Sequence, residues 1–320
     1  MNFLNCRWLF LLLVLLVSQV RAQVDSVTVA NGKQSQDDQE EELSNIQSYT
    51  PSKLLKKGQV DVQLFNNLYT QTAFRDMDRN LIDLNQRATY YATFAQVLLG
   101  TSKSARVNWG MDVIFKSVRL ENDVKSTSLK VLSFESSNST RTAITAIGPK
   151  IKFSPLKNNP DFSIQSALWI PVASDLEGDG NGKPWLDWNR FTSWTQFFYS
   201  QQIGRKFQFF YEADLLVKLA KPASWYVNNV SKGNVLSTPV SFFVNYFTTS
   251  KSTVYVMTQY APTFAFNGGN AIDSDYAQAG IGGKYQLTSR FAIELLYSNF
   301  FTAKNAGAGR TYNIGLRYIK

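Results

Sequence analysis

Along most of the chain, apolar and polar residues alternate one by one. In KFQFFYEADLLVKLAK, residues 206 to 221, Phe207, Phe209, Tyr211, Ala213, Leu215, Val217 and Leu219 fall on one face. Lys206, Gln208, Glu212, Asp214 and Lys218 fall on the other, with Phe210 and Leu216 among them. Period-two alternation marks a strand with two unlike environments. Strands of soluble domains run about 5 to 6 residues, whereas a tilted strand needs about 9 to 11 to cross a bilayer. The same pattern predicts about twelve strands, near 58–70, 87–99, 105–119, 140–153, 161–171, 191–203, 206–219, 236–248, 252–264, 275–287, 290–301 and 309–320.

The connections carry a second pattern. Long segments (71–86, 120–139, 172–190, 220–235, 265–274 and the intermediate 302–309) alternate with short ones at 100–104, 154–161, 204–206, 249–252 and 287–290. Short turns at one rim and long loops at the other belong to outer-membrane barrels, in which an even strand count returns both termini to the periplasm. The aromatic and aliphatic face of residues 206–221 then meets lipid, and its charged face lines the lumen. Turning the strand over would set Lys218 in hydrocarbon, at a cost of about 2–4 kcal/mol near mid-bilayer. The expected fold is an all-β, transmembrane, antiparallel up-and-down β-barrel of about twelve strands, with short periplasmic turns and long extracellular loops.

The chain starts MNFLNCRWLFLLLVLLVSQVRAQ. Arg7 precedes an apolar run, and Val20 and Ala22 stand at the −3 and −1 positions of a small-residue cleavage site, so residues 1–22 read as a signal peptide. Its removal takes away Arg7 and Arg21, lowering the net charge from +9 to +7, together with Cys6, the only cysteine. An exported chain of this size without cysteine points to a bacterial envelope rather than a disulfide-built secreted domain. Residues 23–57 form a polar periplasmic leader, disordered or partly helical, with the acidic run DDQEEE (37–42) and the basic LLKK (54–57). This leader could serve as a plug or as the docking tail for a periplasmic partner. Residues 58–320 form the barrel.

On this architecture, and on the last strand TYNIGLRYIK, the chain resembles the porin-like outer-membrane β-barrels of Gram-negative bacteria. In style it is most similar to uncharacterised Bacteroidota barrels. Asn313, Gly315 and Tyr318 match part of the barrel-assembly signal, so the resemblance implies an outer-membrane location, contact with outer-membrane lipid and recognition of the C-terminal strand by the barrel-assembly machinery. Lys320 departs from the pattern, because the usual last residue is aromatic.

The chain has no histidine. Ser-His-Asp and Cys-His mechanisms are therefore excluded, as is an ordinary zinc site once Cys6 is gone. Glu212 and Asp214 remain as a carboxylate pair, and the leading expectation for them is a lumen ion-pair network rather than an enzyme. No cluster of basic residues interleaves with aromatics on a helix, so the positive charge gives no reason to expect nucleic acid as a partner. Projecting the strands inward gives Asp61, Asn108, Asp112, Lys116, Lys150, Lys152, Glu212, Asp214, Lys218, Lys284, Glu294 and Arg317 as lumen-lining positions.

One local motif could bind calcium. In DLEGDGNGKPWLD (175–187), Asp175, Glu177, Asp179 and Asn181 alternate around Gly180, like the front of an EF-hand loop, but Leu186 takes the twelfth position and Asp187 follows it. The composition equally suits a flexible loop with no cofactor. Trp169, Trp185, Trp188, Trp194 and Trp225 gather near the long-loop rim, as an outer aromatic girdle or a sugar-stacking platform. Two functions follow: a narrow passive channel for small hydrophilic solutes, or a non-conducting barrel with a structural or partner-binding role in the envelope.

Overall fold

A computed structural model describes residues 51–178, 183–220, 233–266 and 272–320. The expected signal peptide (1–22), the expected leader up to residue 50, Asp179, Asn181 and Trp225 lie outside the described residues. Alternation produces strands as expected: β1 (Val60–Arg75), β2 (Leu81–Gly100), β3 (Val107–Glu121), β4 (Thr140–Phe153), β5 (Phe162–Pro171), β6 (Thr192–Ile203), β7 (Phe207–Lys218), β8 (Val235–Ser237), β9 (Val240–Phe247), β10 (Ser252–Ala265), β11 (Ile272–Gln286), β12 (Phe291–Lys304) and β13 (Ala306–Ile319). Each pairs antiparallel with its neighbours, and β1 pairs with β13 from Asp61↔Ile319 to Arg75↔Ala306. The sheet therefore closes on itself.

Strands β8 and β9 share one place in the barrel. Both pair with β7 on one side and β10 on the other. The expected strand 236–248 is interrupted at Thr238 and Pro239 because proline offers no N–H to the ladder. The ladder is spliced across the break: Thr238 N donates to Pro262 O at 3.0 Å, and Asp214 N donates to Pro239 O at 2.9 Å. Counted by position, the barrel is twelve-stranded.

The side chains are sorted inside out. Trp109, Met111, Val254, Val256, Ile281, Leu295 and Ile314 are exposed on the outer surface, while Gln165, Gln196, Gln208, Asn245, Thr253 and Asn313 are buried inside. In the opening stretch, Phe207, Tyr211 and Leu215 are exposed, and Gln208, Phe210 and Asp214 are buried.

The loop rule needs correction at one rim. Connections at the rim where β1 begins and β13 ends are uniformly short, but at the opposite rim only the segments 122–139, 172–191 and 219–234 are long. Residues expected in a loop at 71–86 belong mostly to β1 and β2, joined by 76–80, and the expected loop 302–309 reduces to Asn305. In these hairpins small and polar residues replace the apolar-polar alternation, so the period-two signal fades although Ala73, Ala303 and Gly309 are buried. Gly307 and Gly309, which read as turn residues, are strand positions overlain by Tyr69 and Gln71. A Cβ at Gly307 would lie 1.7 Å from Gln71 Oε1. The hairpin ends are tied by Arg79, whose Nη1 and Nη2 donate to Asp275 at 2.8 and 2.7 Å. Bonding to that carboxylate raises the Arg79 pKa above its ordinary value.

The loop 122–139 folds against the outer wall. Its 3-10 helix, Ser128–Ser133, receives a hydrogen bond from Ser117 Oγ to Val131 O, and Phe134 packs its ring on Phe115 and Tyr91 at 5.2 and 5.6 Å.

Val256 lies on the exposed outer face of β10, between the exposed Val254 and Tyr260. Replacing Val256 with Arg is expected to destabilise the folded barrel by about 2–4 kcal/mol, with Val256→Leu neutral, in urea titrations of the protein folded into lipid vesicles.

Candidate functional site

Inside the barrel lies a cavity of about 370 Å³. Asp112, Lys150, Lys152, Glu212, Lys284, Glu294 and Arg317 contribute to its wall. Asp61, Asn108 and Asp214 are buried inside the barrel beside it, and Lys116 and Lys218 point inward near the loop rim, where they meet the loop 172–191.

A hydrogen-bonded chain of side chains crosses six strands. Arg317 Nη2 donates to Asp61 Oδ2 at 2.7 Å; Gln63 donates to the same oxygen at 2.8 Å; Gln96 donates to Gln63 at 3.1 Å; Lys150 Nζ donates to Gln96 Oε1 at 2.7 Å. Lys150 also lies 2.6 Å from Asp112, whose other oxygen accepts from Trp169 Nε1 at 3.0 Å. Lys150 and Asp112 are both almost fully buried, and each charge tolerates burial only because the other is present. A second chain runs from Gln165 to Gln196 (2.9 Å) and from Gln196 to Glu212 (2.8 Å). Across the cavity, Glu294 accepts from Tyr255 at 2.5 Å and faces Lys284 at 3.5 Å.

Both ends of the cavity are narrowed by chain that folds inward. At the rim where β1 begins and β13 ends, residues 51–57 enter the mouth. Asn108 clamps Leu55 twice, accepting from its N at 2.8 Å and donating to its O at 3.1 Å. Lys152 Nζ donates to the carbonyls of Pro51 and Lys53, Ser52 Oγ meets Ser200 Oγ at 2.7 Å, and Lys53 pairs with Asp161 at 2.7 Å. Leu55 is buried against Leu98 and Ile319. Gly100 makes room, because a Cβ there would sit 1.9 Å from Lys56 O.

At the far rim, the described residues of the loop 172–191 turn in. Leu176 and Leu186 pack on Val118, and Lys116 pairs with Asp187 at 2.7 Å. Arg141 holds the carbonyls of Asp175, Leu176 and Pro184. The ring of Trp188 carries Arg190 at 4.6 Å and Lys218 at 5.0 Å. The described carboxylates of the candidate calcium loop are engaged separately: Asp175 by Lys183 and Arg141, Glu177 by Arg190, and Asp187 by Lys116. Among the described residues, no three His, Cys, Asp or Glu side chains form a metal-sized group.

Aromatic residues are the part that projecting charges alone overlooks. Trp169 and Trp194 do not belong to an outer girdle: they face inward, 5.0 Å apart, with Phe94 at 5.9 and 6.2 Å. Phe198, Phe210, Phe243 and Tyr255 continue the aromatic wall across β6, β7, β9 and β10. Parity carried the signal, since Phe210 stands on the charged side of residues 206–221 and Trp194 two residues before Gln196.

No protein-family model and no curated protein sequence matches the chain. Solved structures do. An outer-membrane channel from Pseudomonas putida F1 superposes with a TM-score of 0.64 at 10% identity, covering 85% of this chain and 99% of that one. The β domain of the Bordetella autotransporter BrkA gives 0.51 at 8% identity, covering 81% and 99%. The fold is that of an outer-membrane β-barrel. At such identities the likeness concerns the fold alone.

Replacing Lys150 with Met is expected to leave Asp112 as a buried uncompensated charge and to destabilise the barrel by about 3–5 kcal/mol. Adding Asp112→Leu should restore most of that loss, read as urea midpoints across the double-mutant cycle.

Proposed function

We propose that this chain resides in the outer membrane of a Gram-negative bacterium, with both termini in the periplasm, and passes small hydrophilic solutes through a narrow, internally gated lumen. The observation that carries the reading is the cavity itself: a polar and aromatic chamber enclosed by a wall whose outer surface is apolar. A rigid structural barrel has no need of such space, because side chains can fill a lumen little wider than that of eight strands. Selectivity on this reading rests with Lys150, Lys152, Glu212, Lys284, Glu294 and Arg317, whose side chains border the chamber. Residues 51–57 act as the periplasmic gate and the loop 172–191 as the extracellular constriction.

The absence of histidine anywhere in the chain supports transport over hydrolytic chemistry. The general likeness to an outer-membrane channel is in the same direction. Export by residues 1–22 and insertion through the C-terminal strand complete the proposed route to the membrane.

The gate makes a reversible test possible, because Ser52 and Ser200 touch and the mature barrel has no cysteine of its own. Single-channel recording of the full mature chain carrying Ser52→Cys and Ser200→Cys should show small steps under reducing conditions, lost on oxidation and regained with dithiothreitol. Asn108→Ala, which releases Leu55, should raise step size or open time. Silence of the folded protein in every state would set aside the channel in favour of a non-conducting partner-binding barrel.

A further inference from the structure

We infer that the rim where β1 begins and β13 ends is seated on anionic phospholipid headgroups, of the phosphatidylglycerol kind, through a ring of lysine and arginine carried by its turns. The inference goes beyond the channel reading: it rests on the proposed outer-membrane placement, with this rim toward the periplasm, and not on conduction. Five short turns close the rim, at 101–106, 154–161, 204–206, 248–251 and 287–290. Each is basic: Lys103 and Arg106 stand in the first, Lys157 in the second, Arg205 and Lys206 in the third, Lys251 in the fourth and Arg290 in the fifth. The adjoining segment 51–59 adds Lys53, Lys56 and Lys57. Against them, the same turns and segment contain one acidic side chain, Asp161. The described connections of the opposite rim mix the signs, with Asp76 and Asp78 beside Arg79, and Asp123 and Glu135 beside Lys125 and Lys130.

Part of this charge works inside the fold. Lys53 pairs with Asp161 at 2.7 Å, and Arg106 Nη2 ties two turns together by donating to Ser154 O and Pro155 O at 2.8 and 2.9 Å. Lys103, Lys157, Arg205, Lys206, Lys251 and Arg290 are instead exposed. Their neighbours on the surface are apolar: Leu156 directly precedes Lys157, Ile203 and Phe207 bracket Arg205 and Lys206, and Leu287 shares a turn with Arg290, all four of them exposed. A basic side chain at the edge of an apolar surface lays its stem along that surface and holds its charge at headgroup level. Anionic lipid attracts charges held in this way.

The placement of the turns selects lipid over a protein partner. They join β2 to β3, β4 to β5, β6 to β7, β9 to β10 and β11 to β12, so the positive charge is distributed around the closed sheet rather than gathered on one side. A protein docks on a single patch with a core depleted of charge. A headgroup layer meets the whole perimeter at once.

Trp109 reports on this rim, because it is exposed on the outer wall two residues into β3, just after the first turn. The test places the full mature chain in phosphatidylcholine vesicles containing a fixed share of either brominated phosphatidylglycerol or brominated phosphatidylcholine, and follows the part of the tryptophan emission that Trp109→Phe removes. Brominated phosphatidylglycerol is expected to associate about threefold or more better. That preference should vanish when Lys103, Lys157, Arg205, Lys206 and Lys251 are all changed to Gln, and in about 1 M salt, where the screening length falls to about 3 Å. It should persist when Lys125 and Lys130 of the opposite rim are changed to Gln. Heat-modifiable migration establishes that each variant is folded, and Lys103→Gln with Lys157→Gln, on the turns that flank β3 and β4, serves if the fivefold variant is not. Equal quenching by the two lipids overturns the inference and leaves the ring to an acidic protein partner; a preference that survives in the fivefold variant or in high salt overturns it too. Displacement of phosphatidylglycerol from this rim by lipid A at equal charge would assign the ring to the other leaflet and overturn it equally. Bilayer recording keeps the two readings apart: lipid preference without conduction removes the channel and retains the ring, whereas conduction with equal quenching does the reverse.

Discussion

Everything in this barrel follows from the need to pair each backbone N–H and C=O within the sheet, because hydrocarbon supplies no substitute partners. The ladder from Asp61↔Ile319 to Arg75↔Ala306 removes the last free edge. Once the sheet is closed, each strand has one face toward lipid and one toward the interior, and the period-two sequence assigns side chains to them. Even the proline interruption between β8 and β9 is tolerated only because neighbouring carbonyls and amides are re-paired across it.

Closure moves the difficulty indoors. An interior built from Gln, Asn, Lys, Asp and Glu must satisfy its own polar atoms, and the chains from Arg317 to Trp169 and from Gln165 to Glu212 do so strand by strand. Where the wall cannot satisfy itself, other chain is brought in. Lys152 finds the carbonyls of Pro51 and Lys53, and Arg141 finds those of Asp175, Leu176 and Pro184. The same contacts that relieve buried cations thus narrow the lumen.

The barrel was legible in the sequence because lipid imposes a strict alternation, and β7 reads inside and outside correctly at each position from Phe207 to Asp214. Hairpin tips were illegible for the converse reason: residues 71–75 and 306–309 are mostly small or polar, so their sequence does not alternate even where Ala73 and Gly309 are buried. Charged residues announced the interior, but Trp169 and Trp194 did not, since an inward ring and a girdle ring look alike until parity is traced from a charged neighbour. The ordered course of residues 51–57 was hidden as well. Its clamp consists of backbone groups met by Asn108 and Lys152, a recognition that depends on position rather than on side-chain pattern.

Only Gly58 and Gln59 separate the segment in the mouth from β1, and Gly58 N is already bonded to Gly100 O at 2.8 Å. β1 in turn obtains its second partner from the last strand of the chain, the pairing with the greatest sequence separation in the fold. The segment in the mouth is therefore tethered, through Gly58 and Gln59, to the seam that closes the wall, so a pull on one is borne by the other.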